Sequence, residues 1–142
     1  MYRDISLYIL DIFIASNKIS RYTENFSNAH DFLNSEINWD ASIRELEVIG
    51  EASKILINSN TISSEYRRIV DFRNQISHAY FGIDEDIVWS VIKNKLPDFL
   101  DYLMILCKEI NIQNAIRFAQ EENVNNPKLI DFLINLDKQL YG

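Results

Sequence analysis

The chain has 142 residues and is 47% apolar, enough for one domain with a real core and too apolar for a disordered chain. Three glycines and two prolines are sparse punctuation, which argues for long helices and against a many-turned β fold. The net charge of −7, from 14 basic and 21 acidic residues, counts against broad, non-specific nucleic-acid binding. It leaves room for a local basic cleft and suits a basic protein partner.

A single cysteine, Cys107, excludes an internal disulfide and any paired-cysteine metal pattern. Its plainest role is a small buried hydrophobe in a reducing compartment. The opening apolar stretch follows Arg3 and Asp4 and is broken by Asp11, unlike a signal peptide. No run approaches the ~18 apolar residues of a membrane span. The expected location is the cytoplasm.

Residues 3–22 read as an amphipathic helix, with Ile5, Tyr8, Ile9, Ile12 and Phe13 at helical spacing. A loop at 25–28 and a short turn at 31–34 lead to a second long helix at 38–58, with Asn38 or Asp40 as its cap. Ala41, Leu46, Ile49, Ala52, Ile55 and Leu56 form its buried stripe. Gly50 sits in the middle of that helix, at a cost of roughly 1 kcal/mol against alanine. Its expected use is to let another helix approach closely. The polar loop "NSNTISSE" offers Ser63 or Ser64 as cap for a third helix through Tyr66, Ile69, Val70, Phe72 and Ile76. "FGIDED" breaks it, with Gly82 suited to a helix C-cap and Asp84 to the next N-cap. The following helix carries Ile87, Val88, Trp89 and Ile92, is kinked or restarted at Pro97, and continues to about residue 110. Two shorter segments, 114–123 and 127–141, complete the chain. The expected fold is all-α: a four-helix bundle over residues 1–110 and a C-terminal helical extension over 111–142, packed on the bundle or on a partner.

"RNQISHAY", residues 73–80, carries the densest chemistry. Its plain reading is a helix end, with His78 at the helix dipole and Arg73 paired to a nearby acid such as Asp71 or Glu65. The functional reading rests on chemistry. Histidine moves protons near neutral pH, and arginine grips a phosphate and stabilises charge growing on it. RNA carries its own nucleophile, the 2′-hydroxyl, so the two side chains suffice for cleavage in principle. In one straight helix, however, five positions separate Arg73 from His78 by about 140° and about 7.5 Å. Asn74 and His78 share a face instead. Either the helix distorts or the site combines two subunits across a symmetric interface.

These residues fit R-x-x-x-x-H-x-Y, and the chain resembles HEPN-domain proteins, more specifically the HepT toxins of HepT/MntA toxin–antitoxin pairs. "YRDISLYILDIFIASNKISRYT" resembles the family's opening helix and "DASIRELEVIGEASKIL" its second. "RNQISHAYFGIDEDIVWSVIKNKLPDFLDYL" resembles it from the motif onward. The resemblance covers about residues 2–106. It implies a HEPN-type bundle of four to five helices that forms a homodimer with the motif at the interface. It implies metal-independent RNA cleavage without a cofactor, Arg73 and His78 as the catalytic pair and Asn74 as a supporting polar residue. It also implies Tyr80 as the residue modified with AMP by an MntA-like nucleotidyltransferase antitoxin. The family's Pro-Trp segment before the motif is absent, since "SSEYRRIVDFRN" stands there.

Other residues have plainer readings beside the sharp ones. Arg44, Glu47 and Glu51 form a solvated ion-pair face or approach the motif from behind. Arg67 and Arg68 line an RNA path or simply face solvent. His30 is a surface residue with no second histidine nearby, and no metal site is expected. Trp39 and Trp89 are core or interface anchors, with Trp89 facing a partner nucleotide as the alternative. The competing function is a non-catalytic HEPN module that binds a nucleotide or a nucleotidyltransferase partner. A purely structural helical dimer is the third reading.

Overall fold

Helices account for the regular structure throughout a computed structural model that describes residues 3–77 and 82–142, with Ser77 described by its backbone alone. The first helix, α1, spans Ile5–Thr23, and Asp4 caps it by accepting from the Ser6 amide at 2.8 Å. A one-turn helix, α2, spans Ala29–Leu33 and is capped by Asn28. The long helix α3 spans Glu36–Asn58 and runs against α1, forming the most extensive helix pair. Ser42 and Ser53 are fully buried on α3, and Leu46, Ile49, Ala52 and Leu56 fill its apolar stripe as the spacing predicts. Ala41 and Ile55 are only half-buried.

The expected cap of α3 is corrected. The helix starts before Asn38, at Glu36, and its N-cap residue Ser35 makes no side-chain cap bond. Asn38 donates instead to the Tyr22 carbonyl at 2.8 Å and accepts from Ser35 Oγ at 2.8 Å, tying the end of α1 to the start of α3. A tertiary acceptor outcompetes the local one. At the far end Asn60 takes a left-handed φ of 59°, which asparagine tolerates after a helix. The Thr61 amide then returns to the Leu56 carbonyl at 2.9 Å.

Ser63 caps a 3₁₀ turn, Ser64–Tyr66, that feeds α4, Arg67–Ser77. The Tyr66 ring packs on Phe99 and Tyr102 and so docks the start of α4 on a later helix. Gly82 has φ +103°, a conformation glycine adopts freely. Asp84 caps α5, Glu85–Ser90, by accepting from the Asp86 and Ile87 amides, as expected. The helix restarts at Pro97, as expected. A π-helical turn, Val91–Lys95, widens the helix just before α6, Leu96–Leu106, and Pro97 lies in the first turn of α6. A proline lacks an amide hydrogen and crowds the carbonyl four residues back, and the wider turn relieves both.

Two further helices, α7 (Gln113–Glu122) and α8 (Pro127–Tyr141), pack on each other, and α7 also meets α1. The Tyr141 hydroxyl accepts from the Ile112 amide at 2.8 Å and donates to the Cys107 carbonyl at 3.2 Å. Ile112, Ile116 and Leu133 belong to the same apolar cluster as Ile9, Phe32 and Leu103. Burial pushes the Cys107 thiol up to about 11, so it stays protonated at neutral pH and packs as a small hydrophobe. Phe32 is fully buried between Trp39 and Trp89, which makes both tryptophans part of the core wall. Lys93 lies over the Trp89 ring at 4.6 Å. Among the described residues, the elements are all helical, as expected, and no helix is long and apolar enough to cross a membrane.

Candidate functional site

Arg73 is the one member of the expected catalytic pair whose surroundings are described; His78 and Tyr80 lie outside the described residues. Arg73 sits on the face of α4 that crosses α3, and its stem lies on Gly50. A β-carbon at Gly50 would overlap Arg73 Cβ and Cγ, so the glycine is what allows the crossing. The close approach expected of Gly50 therefore occurs, and the group that approaches is an arginine side chain.

The Arg73 head is held as well. Nη2 lies 2.5 Å from Glu51 Oε1 on α3, and Nη1 donates to Asn74 Oδ1 at 3.1 Å. Nε is buried and has no partner among the described residues. The acid paired with Arg73 is thus Glu51, not Asp71 or Glu65 as its place in the sequence suggests. Glu51 is also not spent on an ion pair with Arg44. The Glu51 side chain is 49% exposed and that of Arg73 27%, so the pair sits at a rim open to water. A pair so placed contributes at most about 1 kcal/mol to stability and orients more than it stabilises.

A groove of about 350 Å³ opens beside this pair. Tyr8 and Asp11 line it from α1, Arg44, Glu47 and Glu51 from α3, and Arg73 from α4. Arg3 closes one flank by pairing with Asp11 and lying over the Tyr8 ring at 4.8 Å. Two arginines and three carboxylates share the lining, so the groove carries both signs of charge rather than being uniformly basic. Arg67 is exposed on the outer side of α4. Arg68 lines a separate cavity of about 260 Å³ among Tyr66, Ile69, Phe72 and Phe99. His30 is exposed, with its ring 3.2 Å from the Asn34 amide nitrogen, as a surface residue would be.

Residues 12–106, about two-thirds of the chain, match the family described as ribonuclease HepT-like. The chain belongs to that family. A protein of Methanocaldococcus jannaschii named "Putative RNase MJ1380" is 32% identical over 98 residues, covering 67% of this chain and 89% of its own length. "Probable ribonuclease HepT" of Thermococcus cleftensis is 36% identical over 93 residues, 63% of this chain and 84% of that protein. A third relative, "Gamma-glutamylcyclotransferase and putative RNase MJ0434" of M. jannaschii, is 26% identical over an alignment that takes in 100% of this chain and 66% of its own. That match reaches through α7 and α8, which the resemblance at residues 2–106 left aside. No solved structure matches. Of the two readings of Glu51, the one in which it approaches the motif holds; what the sequence did not show is that Gly50 and Glu51 act together on Arg73. A glycine inside a long helix, followed directly by a carboxylate, was the available signal.

Proposed function

We infer that this HepT-like protein is an endoribonuclease toxin that cleaves RNA without a metal, with Arg73 and His78 as its catalytic groups. The observation that carries the reading is the Arg73 side chain, seated on Gly50, held by Glu51 and Asn74, and open to a charged groove. A guanidinium presented in this way grips a phosphate oxygen pair and stabilises the phosphorane. Histidine removes the 2′-hydroxyl proton, the 2′-oxygen attacks phosphorus, and the 5′-oxygen leaves with a proton supplied by an imidazolium. The products are a 2′,3′-cyclic phosphate and a 5′-hydroxyl. Because the five-residue spacing does not converge on one straight helix, a homodimer supplies both groups to one cleft.

Control is assigned to Tyr80. A nucleotidyltransferase antitoxin of the MntA type transfers AMP from ATP to its hydroxyl and releases pyrophosphate. The added phosphate and adenosine oppose binding of another polyanion beside Arg73. The test compares wild type with His78→Ala on total RNA in EDTA, with end-group analysis. Wild type should cleave and leave cyclic phosphate ends, and His78→Ala should lose about 10²- to 10⁴-fold. Full activity of His78→Ala, or its loss on chelation in wild type, would contradict the assignment. Tyr80→Phe should cleave RNA yet take up no AMP from partner and ATP by intact mass.

The non-catalytic reading has one observation in its favour. The groove beside Arg73 is lined by three carboxylates, Asp11, Glu47 and Glu51, and two arginines, a slight acidic excess that suits a module that binds a basic protein partner better than RNA. RNA cleavage by wild type that His78→Ala abolishes decides against it.

A further inference from the structure

The geometry points to Glu51 as the positioning residue of Arg73, acting together with Gly50 as the seat for its stem. This rests on the reading of Arg73 as the phosphate-binding group. An arginine has several rotatable bonds between backbone and guanidinium, and a free one must give up that freedom when it grips a phosphate. In this protein the freedom is already gone. Cβ and Cγ lie on the bare backbone of Gly50, and Nη2 is fixed 2.5 Å from Glu51 Oε1. Nη1 is steered by Asn74 Oδ1 at 3.1 Å. Stem and head are therefore held at separate points by adjacent residues of one rigid helix, α3, and the ordering cost is met in folding rather than on the way from bound substrate to phosphorane.

The hold leaves hydrogen-bonding capacity for substrate. Each terminal nitrogen of a guanidinium carries two hydrogens. Among the described residues Glu51 is ion-paired with Nη2 and Nη1 donates to Asn74, which leaves N–H groups on both terminal nitrogens for substrate. Nε is buried, with no partner among the described residues. Glu51 touches no substrate in this scheme. It acts through Arg73, and its removal should lower turnover while leaving affinity nearly untouched.

Two measurements on Glu51→Ala, Glu51→Asp and Glu51→Gln test this. Arginine side-chain nitrogen NMR reads the hold directly and needs no activity. Wild type should show separate, slowly exchanging Nη signals for Arg73, and Glu51→Ala should average them. Kinetics on RNA in EDTA should show kcat falling roughly 10- to 100-fold in Glu51→Ala, with KM within about twofold. Glu51→Asp should recover part of kcat, and Glu51→Gln, which keeps an acceptor without charge, should fall between. Unchanged Arg73 signals in Glu51→Ala overturn the proposal, as does wild-type kcat. So does a gain of activity in Glu51→Gln, which would make Glu51 a competitor of the phosphate. If wild-type protein cleaves no RNA, the ribonuclease reading fails and the NMR comparison still decides whether Glu51 holds Arg73.

Discussion

Helices α4 and α8 are both short amphipathic elements, yet they are held in opposite ways. In α8, Leu129, Leu133 and Leu136 are buried at core spacing. Asn126 caps it, Pro127 opens it where no amide is needed, and Tyr141 bonds its last turn to the end of α6 and the start of α7. Its caps and its leucine stripe agree with the packing. In α4 the buried apolar residues within the described span are only Val70 and Ile76, and the side chain laid on the Gly50 backbone of α3 is an arginine. It is received by a glycine and paired with a half-exposed carboxylate. A helix whose local rules all agree serves stability. One that spends its packing position on a charged group carries chemistry, because local rules are broken where function needs them broken.

Arg73→Ala offers the largest separation. RNA cleavage should fall about 10²- to 10³-fold, while the melting temperature drops by only a few degrees, since a rim ion pair contributes little. A large stability loss in thermal melts, with activity per folded molecule preserved, would make α4 an ordinary structural helix. Leu133→Ala is the converse. Leu133 is fully buried, so the variant should lose about 2–5 kcal/mol in urea unfolding while its folded fraction cleaves RNA at the wild-type rate.

Gly50→Ala probes the junction of the two behaviours. Alanine gains about 1 kcal/mol of helix propensity, but its methyl overlaps the Arg73 stem and should cost about 1–3 kcal/mol in overpacking. A net loss of stability together with lower kcat is expected. A stabilised and fully active Gly50→Ala would show that the Arg73 seat is dispensable. Asp84→Ala should have the smallest effect, about 1 kcal/mol from the lost cap of α5, read as a shift in the urea midpoint.

Where the helices lie was set by information local in the chain. Apolar residues at helical spacing placed α1, α3, α7 and α8, and capping chemistry placed Ser63 and Asp84, because these depend on neighbours a few residues away. The need for a close approach at Gly50 was also visible, since a glycine is costly inside a helix unless something uses the space. Glu51 was visible as a residue that could approach the motif but not as the specific partner of Arg73, and the task of Asn38 was not visible. Asp71 and Glu65 are near Arg73 in sequence, but the acid that reaches it is Glu51, from another helix. Asn38 gave up its expected cap for a carbonyl on α1. Such pairings depend on the crossing and register of α3 against α1 and α4, which follow from burying whole apolar stripes at once. The same packing decided that α7 and α8 close onto this bundle through Ile112, Ile116 and Leu133, whose periodicity alone stated only that they needed something to cover them.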